Sequence, residues 1–159
     1  NGGQRGGWGE VDIQRPGEEG VFEEDRFLRQ PVDMGIVAGS DAGGDARLVE
    51  EAARRGVRVS AFQSNHEGAL VDRVQAARDE GVRFVIVNPG SLAPGSVALA
   101  DALAAATLPF IAVDLVNRCA TDPAVSRSRL SETALGTIAG LGSRGYDFAL
   151  AFALAQLQG

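Results

Sequence analysis

The segment Phe84-Val-Ile-Val-Asn-Pro-Gly90 decides the fold of this chain. Its four consecutive apolar residues are typical of a strand in a parallel sheet, because helices cover both faces of such a sheet and leave no face for polar residues. A helical pattern precedes this strand and stops at Gly81, and Ser96 opens another helix that runs through Ala106. The segment therefore predicts one strand of a repeating βα arrangement.

The same alternation of strand and helix continues on both sides of this segment. Ser64 and Glu67 have the spacing of a capping box at the start of the preceding helix. We predict a doubly wound α/β fold, with a five-stranded parallel sheet between two layers of helices. The other predicted strands are Gly35–Ala38, Val57–Phe62, Phe110–Val113 and Leu135–Leu141, and the other predicted helices include Ala46–Arg55 and Tyr146–Leu157.

Polar and glycine-rich segments follow several of these strands. In doubly wound sheets, ligands bind beyond the carboxyl ends of the strands, near the point where the strand order reverses. We therefore expect Gly39–Asp45, Asn88–Gly95 and Asp114–Cys119 to surround one polar crevice.

Composition limits the class of protein. The 159 residues fit one domain, and 45% apolar with 23% charged residues is usual for a globular protein. The net charge of -6 lacks the basic character that nucleic-acid binding needs. No apolar run is long enough to cross a bilayer, and we see no signal-peptide pattern. We expect a cytoplasmic protein without nucleic-acid or membrane partners.

Missing residue types limit the chemistry. With Cys119 and His66 as the only cysteine and histidine, the chain contains neither a disulfide nor a multi-histidine metal site, and we predict no metal. The chain has no lysine, which excludes Schiff-base catalysis. Arginine is available to hold carboxylate or phosphate groups.

Residues 1–33 differ from the predicted domain at 34–159. They contain the glycine-rich segment Asn1–Gly9 and an acidic run between Glu18 and Asp25, without a sustained apolar period. We interpret them as a flexible or loosely docked extension. The alternative is an arm that packs over a site or a neighbouring subunit through aromatic anchors, which are Trp8, Phe22 and Phe27.

Four motifs resemble the type II 3-dehydroquinate dehydratases, also called type II dehydroquinases. They are Gln63–Asp72, Val87–Gly90, Ser96–Leu103 and Gly136–Leu150, and they occur in the family's order. The resemblance implies a flavodoxin-like fold and a homo-oligomer built from trimers, usually a dodecamer. It also implies a small-molecule carbonyl substrate and no cofactor.

The residues that carry the family's chemistry are mostly replaced. In that family a lid tyrosine, helped by an arginine, removes a proton from C2 of dehydroquinate. An asparagine and water stabilise the enolate, and a histidine protonates the departing hydroxyl group. The asparagine is retained as Asn88, whereas Pro94 stands where a histidine binds substrate and Asp114 where the catalytic histidine lies. The family's glutamate and serine near that histidine correspond to Ala112 and Val116.

The lid and its arginine also differ. The arginine position falls near Val125, and Arg127 or Arg129 could take its place. The family's lid sequence is absent after the first strand, and the only tyrosine, Tyr146, matches a structural position of the family. A faint similarity leaves open that Asn1–Pro16 is a displaced lid.

These replacements predict a remodelled site in which Asp114 and Asn88 are catalytic. Loss of a hydroxyl group needs an acid, and a carboxylate replaces a histidine only where burial or a second carboxylate keeps it protonated. Asp41 or Asp101 could supply that second carboxylate. Each aspartate also has a structural interpretation, as a strand-end, turn or helix residue. The predicted substrate-binding residues are Asn117, Ser96, Leu115, Asp41 and Arg127, and the predicted subunit contacts are His66, Glu67 and Asp101.

Three functional hypotheses remain open at this level. The first is a repurposed lyase of dehydratase type that acts on another cyclic or polyketide-like carbonyl compound. The second is a non-catalytic oligomer that binds a ligand or a partner. The third is a true 3-dehydroquinate dehydratase whose missing groups come from the N-terminal arm or a neighbouring subunit.

Overall fold

A computed structural model describes residues 32–38, 45–92, 96–120 and 128–158. Five parallel strands form one sheet in the order β2-β1-β3-β4-β5. Helices precede or follow each strand, which confirms the predicted doubly wound α/β fold. The strands are β1 (Val32–Ala38), β2 (Val57–Gln63), β3 (Phe84–Asn88), β4 (Phe110–Asp114) and β5 (Gly136–Ala139). The helices are α1 (Asp45–Arg54), α2 (Glu67–Asp79), α3 (Val97–Ala106), α4 (Arg129–Thr133) and α5 (Arg144–Gln158).

The core lies in two layers, one on each face of the sheet. Every residue of β3 is buried, as its continuous apolar sequence predicts. Because side chains alternate along a strand, Phe84 and Ile86 pack under α1 and α5, whereas Val85 and Val87 pack under α2 and α3. This arrangement gives the predicted three layers. The strand order reverses between β1 and β3, so the carboxyl ends of these strands mark the expected ligand crevice.

The predicted capping box at the start of α2 is wrong. The helix begins at Glu67 with His66 as its N-cap residue, and no side chain caps it. The hydroxyl oxygen of Ser64 accepts the His66 N–H at 3.0 Å, while the Ser96 hydroxyl donates to the Glu67 carboxylate at 2.7 Å. The carboxylate of Glu67 therefore joins α2 to the start of α3 instead of capping α2.

The fifth strand is shorter than predicted. It ends at Ala139, because the chain turns at Gly140 with a φ of +82°. Leu135 and Leu141, which the prediction placed in the strand, lie outside it and are exposed. The short helix α4 has no counterpart in the prediction, and Ser128 caps it by accepting the Ser131 N–H at 3.2 Å.

The predicted N-terminal extension lies outside the described residues apart from Val32 and Asp33. These two residues begin β1 and pair with Val57 and Arg58 of β2. For residues 1–31, the extension stays a prediction. Within the described ranges, no helix has both the length and the apolar character to span a membrane.

Candidate active site

Asn88 lies at the carboxyl end of β3 and is held by two hydrogen bonds. It is 2% exposed. Its Nδ2 donates to the Tyr146 hydroxyl at 2.7 Å, and its Oδ1 accepts the Gly90 N–H at 3.0 Å. Asn88 therefore links the sheet to α5 and fixes the turn after β3. Its predicted catalytic role stays a prediction, and the structure adds this structural one.

Asp114 lies at the carboxyl end of β4 and is 8% exposed. Its Oδ1 accepts the Val116 N–H at 3.1 Å. Its Oδ2 lies 3.4 Å from Nε of Arg118, within ion-pair distance, but this buried oxygen accepts no hydrogen bond from the described part of the chain. Buried carboxylate oxygens are usually hydrogen-bonded, so an oxygen in this state is a candidate acceptor for a ligand or a proton.

Asn88 and Asp114 share one edge of the sheet but approach it from different faces. The pairing of Val87 with Ala112 brings the two strand ends side by side. Along β3, Asn88 alternates with Val87 and contacts α5 through Tyr146. Along β4, Asp114 lies on the face opposite Val113, which packs under α5. A ligand that touches both side chains must therefore lie across the sheet edge.

The loop after β5 holds the segment that carries Asp114. The Gly140 N–H donates to the Asp114 carbonyl at 3.1 Å, and the Gly142 N–H donates to the Leu115 carbonyl at 3.0 Å. A Cβ atom on Gly140 would lie 2.9 Å from Cβ of Asn117, so only glycine permits this approach. The backbone of the Gly140–Tyr146 motif thus holds the end of β4 in place.

Two predicted site residues bond to each other across the helices. Ser96 is buried, and its hydroxyl donates to Glu67, so this link joins the N-terminal ends of α2 and α3. His66 is exposed beside this link. The predicted roles of Ser96 in substrate binding and of His66 and Glu67 in subunit contact stay predictions.

We predicted Asp41 or Asp101 as a second carboxylate beside Asp114; the structure contradicts this role for Asp101, and Asp41 lies outside the described ranges. Asp101 is exposed on α3 and forms an ion pair with Arg129 of α4 at 3.0 Å. Arg129 is therefore engaged here rather than at the strand end. Among the described residues, the charged group beside Asp114 is the cation Arg118, whose charge is opposite to that of a carboxylate.

Several predicted residues lie outside the described ranges. Asp41 and Arg127, predicted to bind substrate, are among them, as is Pro94. Among the predicted substrate-binding residues, Asn117 is exposed next to Gly140 and Leu115 packs against the core under α5.

The family model described as Dehydroquinase class II matches residues 37–154 of this chain. The chain belongs to this family. A 3-dehydroquinate dehydratase of Ralstonia pickettii (strain 12J) is 48% identical over 128 residues, which are 80% of this chain and 81% of that protein. The type II dehydroquinase of Propionibacterium acnes has a TM-score of 0.69 at 29% identity, covering 77% of this chain and 98% of that chain. The one from Butyrivibrio crossotus DSM 2876 has a TM-score of 0.68 at 26% identity, covering 79% and 98%.

Membership of the dehydroquinase family confirms the predicted family and architecture. The dehydroquinase motifs retained here have structural roles in this chain: Tyr146 is 1% exposed and hydrogen-bonded to Asn88, and Gly140 supports the end of β4. These contacts agree with the structural role predicted for Tyr146.

Arg118 is the site residue that the sequence interpretation missed. It lies in a short 3₁₀ turn (Arg118–Ala120), four residues after Asp114. On a helix, an acidic and a basic residue four positions apart are expected to form an ion pair. Asp114 and Arg118 have this spacing at the end of a strand, where it predicts no contact. Arg73 was also missed: it is buried on α2, and its Nη2 lies 3.1 Å from Ser60 Oγ and 2.9 Å from Glu80 Oε2.

Proposed function

We propose that this chain is a lyase of the dehydroquinase family that eliminates water from a cyclic hydroxy ketone other than 3-dehydroquinate. Asp114 transfers the proton in this reaction, and Arg118 compensates its charge. The proposal rests on the buried Oδ2 atom of Asp114, which accepts no hydrogen bond within the described residues at the edge of the sheet where ligands bind.

The elimination requires a proton acceptor and a proton donor. In a β-hydroxy ketone, the base takes the proton from the carbon between the carbonyl and hydroxyl-bearing carbons. The C–O bond then breaks, and the leaving hydroxide takes a proton and departs as water. Because Asp101 pairs with Arg129 and the described residues place no other carboxylate beside Asp114, we assign both transfers to this one group. Oδ2 accepts the carbon-bound proton and returns it to the leaving hydroxyl group.

Arg118 suits a supporting role in this scheme. Its side chain is about one third exposed, whereas that of Asp114 is about one tenth exposed, so solvent and ligands reach Arg118 more easily. A guanidinium group stays charged throughout the physiological pH range, so it cannot donate the proton itself. It can hold the substrate's carbonyl or carboxylate oxygen while it balances the charge of Asp114.

A true 3-dehydroquinate dehydratase is the second candidate. The observation in its favour is the 48% identity with the dehydratase of Ralstonia pickettii over most of both chains. In that case the groups that replace the lid tyrosine and the histidine come from residues outside the described ranges or from a neighbouring subunit. A non-catalytic ligand-binding homologue remains the outcome if no substrate turns over.

The deciding experiment measures the enone absorbance formed from 3-dehydroquinate and from a panel of cyclic β-hydroxy ketones. We expect turnover of a panel compound and little or none of 3-dehydroquinate. Asp114→Asn should lower kcat by about 10² to 10⁴, the usual contribution of a positioned acid–base group. Asp79→Asn, the same change at an exposed position on α2, is the matched control and should leave kcat unchanged.

Each outcome separates the candidates. Efficient turnover of 3-dehydroquinate by the wild-type chain would establish the second candidate. Retention of full activity by Asp114→Asn would remove Asp114 from the mechanism. Complete inactivity of the correctly assembled protein on every compound would favour the non-catalytic alternative.

A further inference from the structure

A groove runs between α1 and α5 on the face of the sheet opposite α2 and α3. Its volume is about 290 Å³. Leu150, Ala151 and Leu154 of α5 line it on one side together with Asp147, and charged side chains from the end of α1 and the residue after it line it on the other. An apolar surface beside a charged rim is typical of a site that binds an amphipathic segment of chain.

The surface of α5 next to the groove is unusually apolar. Phe148 is 57% exposed and Phe152 is 36% exposed, and the two lie four residues apart on one helix face. Ala151 and Ala155 are exposed between and beyond them. A helix that is apolar on its outer face as well as its inner one is usually covered by another segment.

The chain that precedes β1 arrives next to this surface. Val32 pairs with Val57, two residues after Arg55 at the end of α1. Since neighbouring strands lie about 5 Å apart, Val32 is within roughly 12 Å of Arg55 along this path. Met34 pairs with Phe84, whose ring lies 6.2 Å from that of Phe152 in an edge-to-face contact.

The aromatic residues of the preceding segment match the apolar part of the surface. Phe27 is five residues before Val32, so up to about 17 Å of extended chain is available to carry its ring onto α5. Phe22 precedes it, and the acidic run Glu23–Asp25 lies between the two aromatic residues. At the groove rim, Arg54 and Arg55 form ion pairs with Glu51 at 3.0 and 2.9 Å, and Asp147 of α5 lines the same groove. The rim therefore holds two basic and two acidic side chains, and its arginines are the groups that an acidic segment can approach.

We propose that residues 22–28 of the same chain bind along the groove between α1 and α5. Phe22 and Phe27 cover the apolar face of α5, and Glu23–Asp25 approach Arg54 and Arg55. The groove lies on the face of the sheet that α1 and α5 cover, whereas Asp114 lies on the opposite face from Val113, which packs under α5. The proposal is therefore independent of the proposed reaction.

A disulfide trap in the full-length chain tests the position of this segment. Leu28→Cys is combined with Ala151→Cys in a Cys119→Ser background and oxidised under native conditions. We expect a disulfide within one chain, detected as peptides that stay joined after trypsin digestion until a reductant is added. The matched control pairs Leu28→Cys with Asp72→Cys, an exposed site on α2, and should form at least about tenfold less of the disulfide, since only a docked segment raises the effective concentration.

Trypsin cleavage after Arg26 and Arg29 gives a second readout. In the wild-type chain the docked segment should resist cleavage at these bonds, and Phe148→Ser should accelerate it about tenfold or more through the loss of one aromatic contact area. A disulfide between two chains would show that another copy covers the surface and would overturn the proposal. Equal trapping on α2, or cleavage that Phe148→Ser leaves unchanged, would overturn it as well.

Discussion

At the scale of single residues, Gly140 shows how a dehydroquinase motif of the last loop holds the end of β4. Gly140 approaches Asn117 so closely that any Cβ atom would contact it at 2.9 Å. Its N–H donates to the carbonyl of Asp114, whose side chain is the proposed catalytic group. The backbone geometry that holds the end of β4 is therefore independent of whether a histidine or an aspartate stands at position 114.

Gly140→Ala should lower the free energy of unfolding by about 2 to 4 kcal/mol, because it adds a clash to the strain of an alanine at positive φ. Gly56→Ala is the control: Gly56 has a φ of +74° but no atom within 4 Å of the added Cβ, so only the backbone strain applies, about 1 to 2 kcal/mol. Urea denaturation at one protein concentration measures both variants. Equal destabilisation of the two would contradict the role assigned to the contact with Asn117.

At the scale of elements, periodicity predicted most of the fold because the apolar pattern of each strand and helix is local. The continuous run at Phe84–Val87 predicted a strand with both faces covered, and the structure confirms it. The capping box failed because the carboxylate of Glu67 bonds to Ser96, 29 residues away, and no local pattern contains that contact. Arg73 was missed for the same reason, since its partner Ser60 lies on β2.

The candidate site was predicted only in part for a related physical reason. Topology places strand ends, so Asn88 and Asp114 were expected at one edge and lie there. The sequence could not show which side chains would surround them. Arg118 reaches Asp114 through a 3₁₀ turn, and Asp101 turns instead to Arg129, and both contacts depend on loop and helix packing.

The hydrogen bond between Asn88 and Tyr146 joins β3 to α5, and its contribution to the free energy of unfolding can be measured. Tyr146→Phe should lower the free energy of unfolding by about 1 to 3 kcal/mol, because the buried Nδ2 of Asn88 loses the acceptor 2.7 Å away. In a double-mutant cycle with Asn88→Ala, we expect a coupling energy of at least about 0.5 kcal/mol. Strictly additive effects would show that the two side chains stabilise the fold independently.

At the scale of the whole molecule, apolar side chains remain exposed around the edge strand β5. Leu135 and Leu141 flank the strand, and Val116 lies on the adjoining loop after β4; all three are more than half exposed. An edge strand with exposed apolar flanks is a site at which chains associate. We therefore propose that this surface contributes to the trimer-based homo-oligomer, usually a dodecamer, that the resemblance to type II dehydroquinases implies.

We predict that light scattering on the purified full-length chain gives a mass near twelve times the chain mass of 16.5 kDa. Leu141→Asp should reduce that mass, because burying a charge in an apolar contact costs several kcal/mol unless the charge is paired. Gln75→Asp introduces the same charge at an exposed polar position on α2 and should leave the mass unchanged. A wild-type mass of one chain at micromolar concentration would contradict the proposed assembly. A wild-type oligomer that Leu141→Asp leaves intact would instead place the subunit contacts away from β5, and His66 and Glu67 at the start of α2 would then be the next positions to substitute.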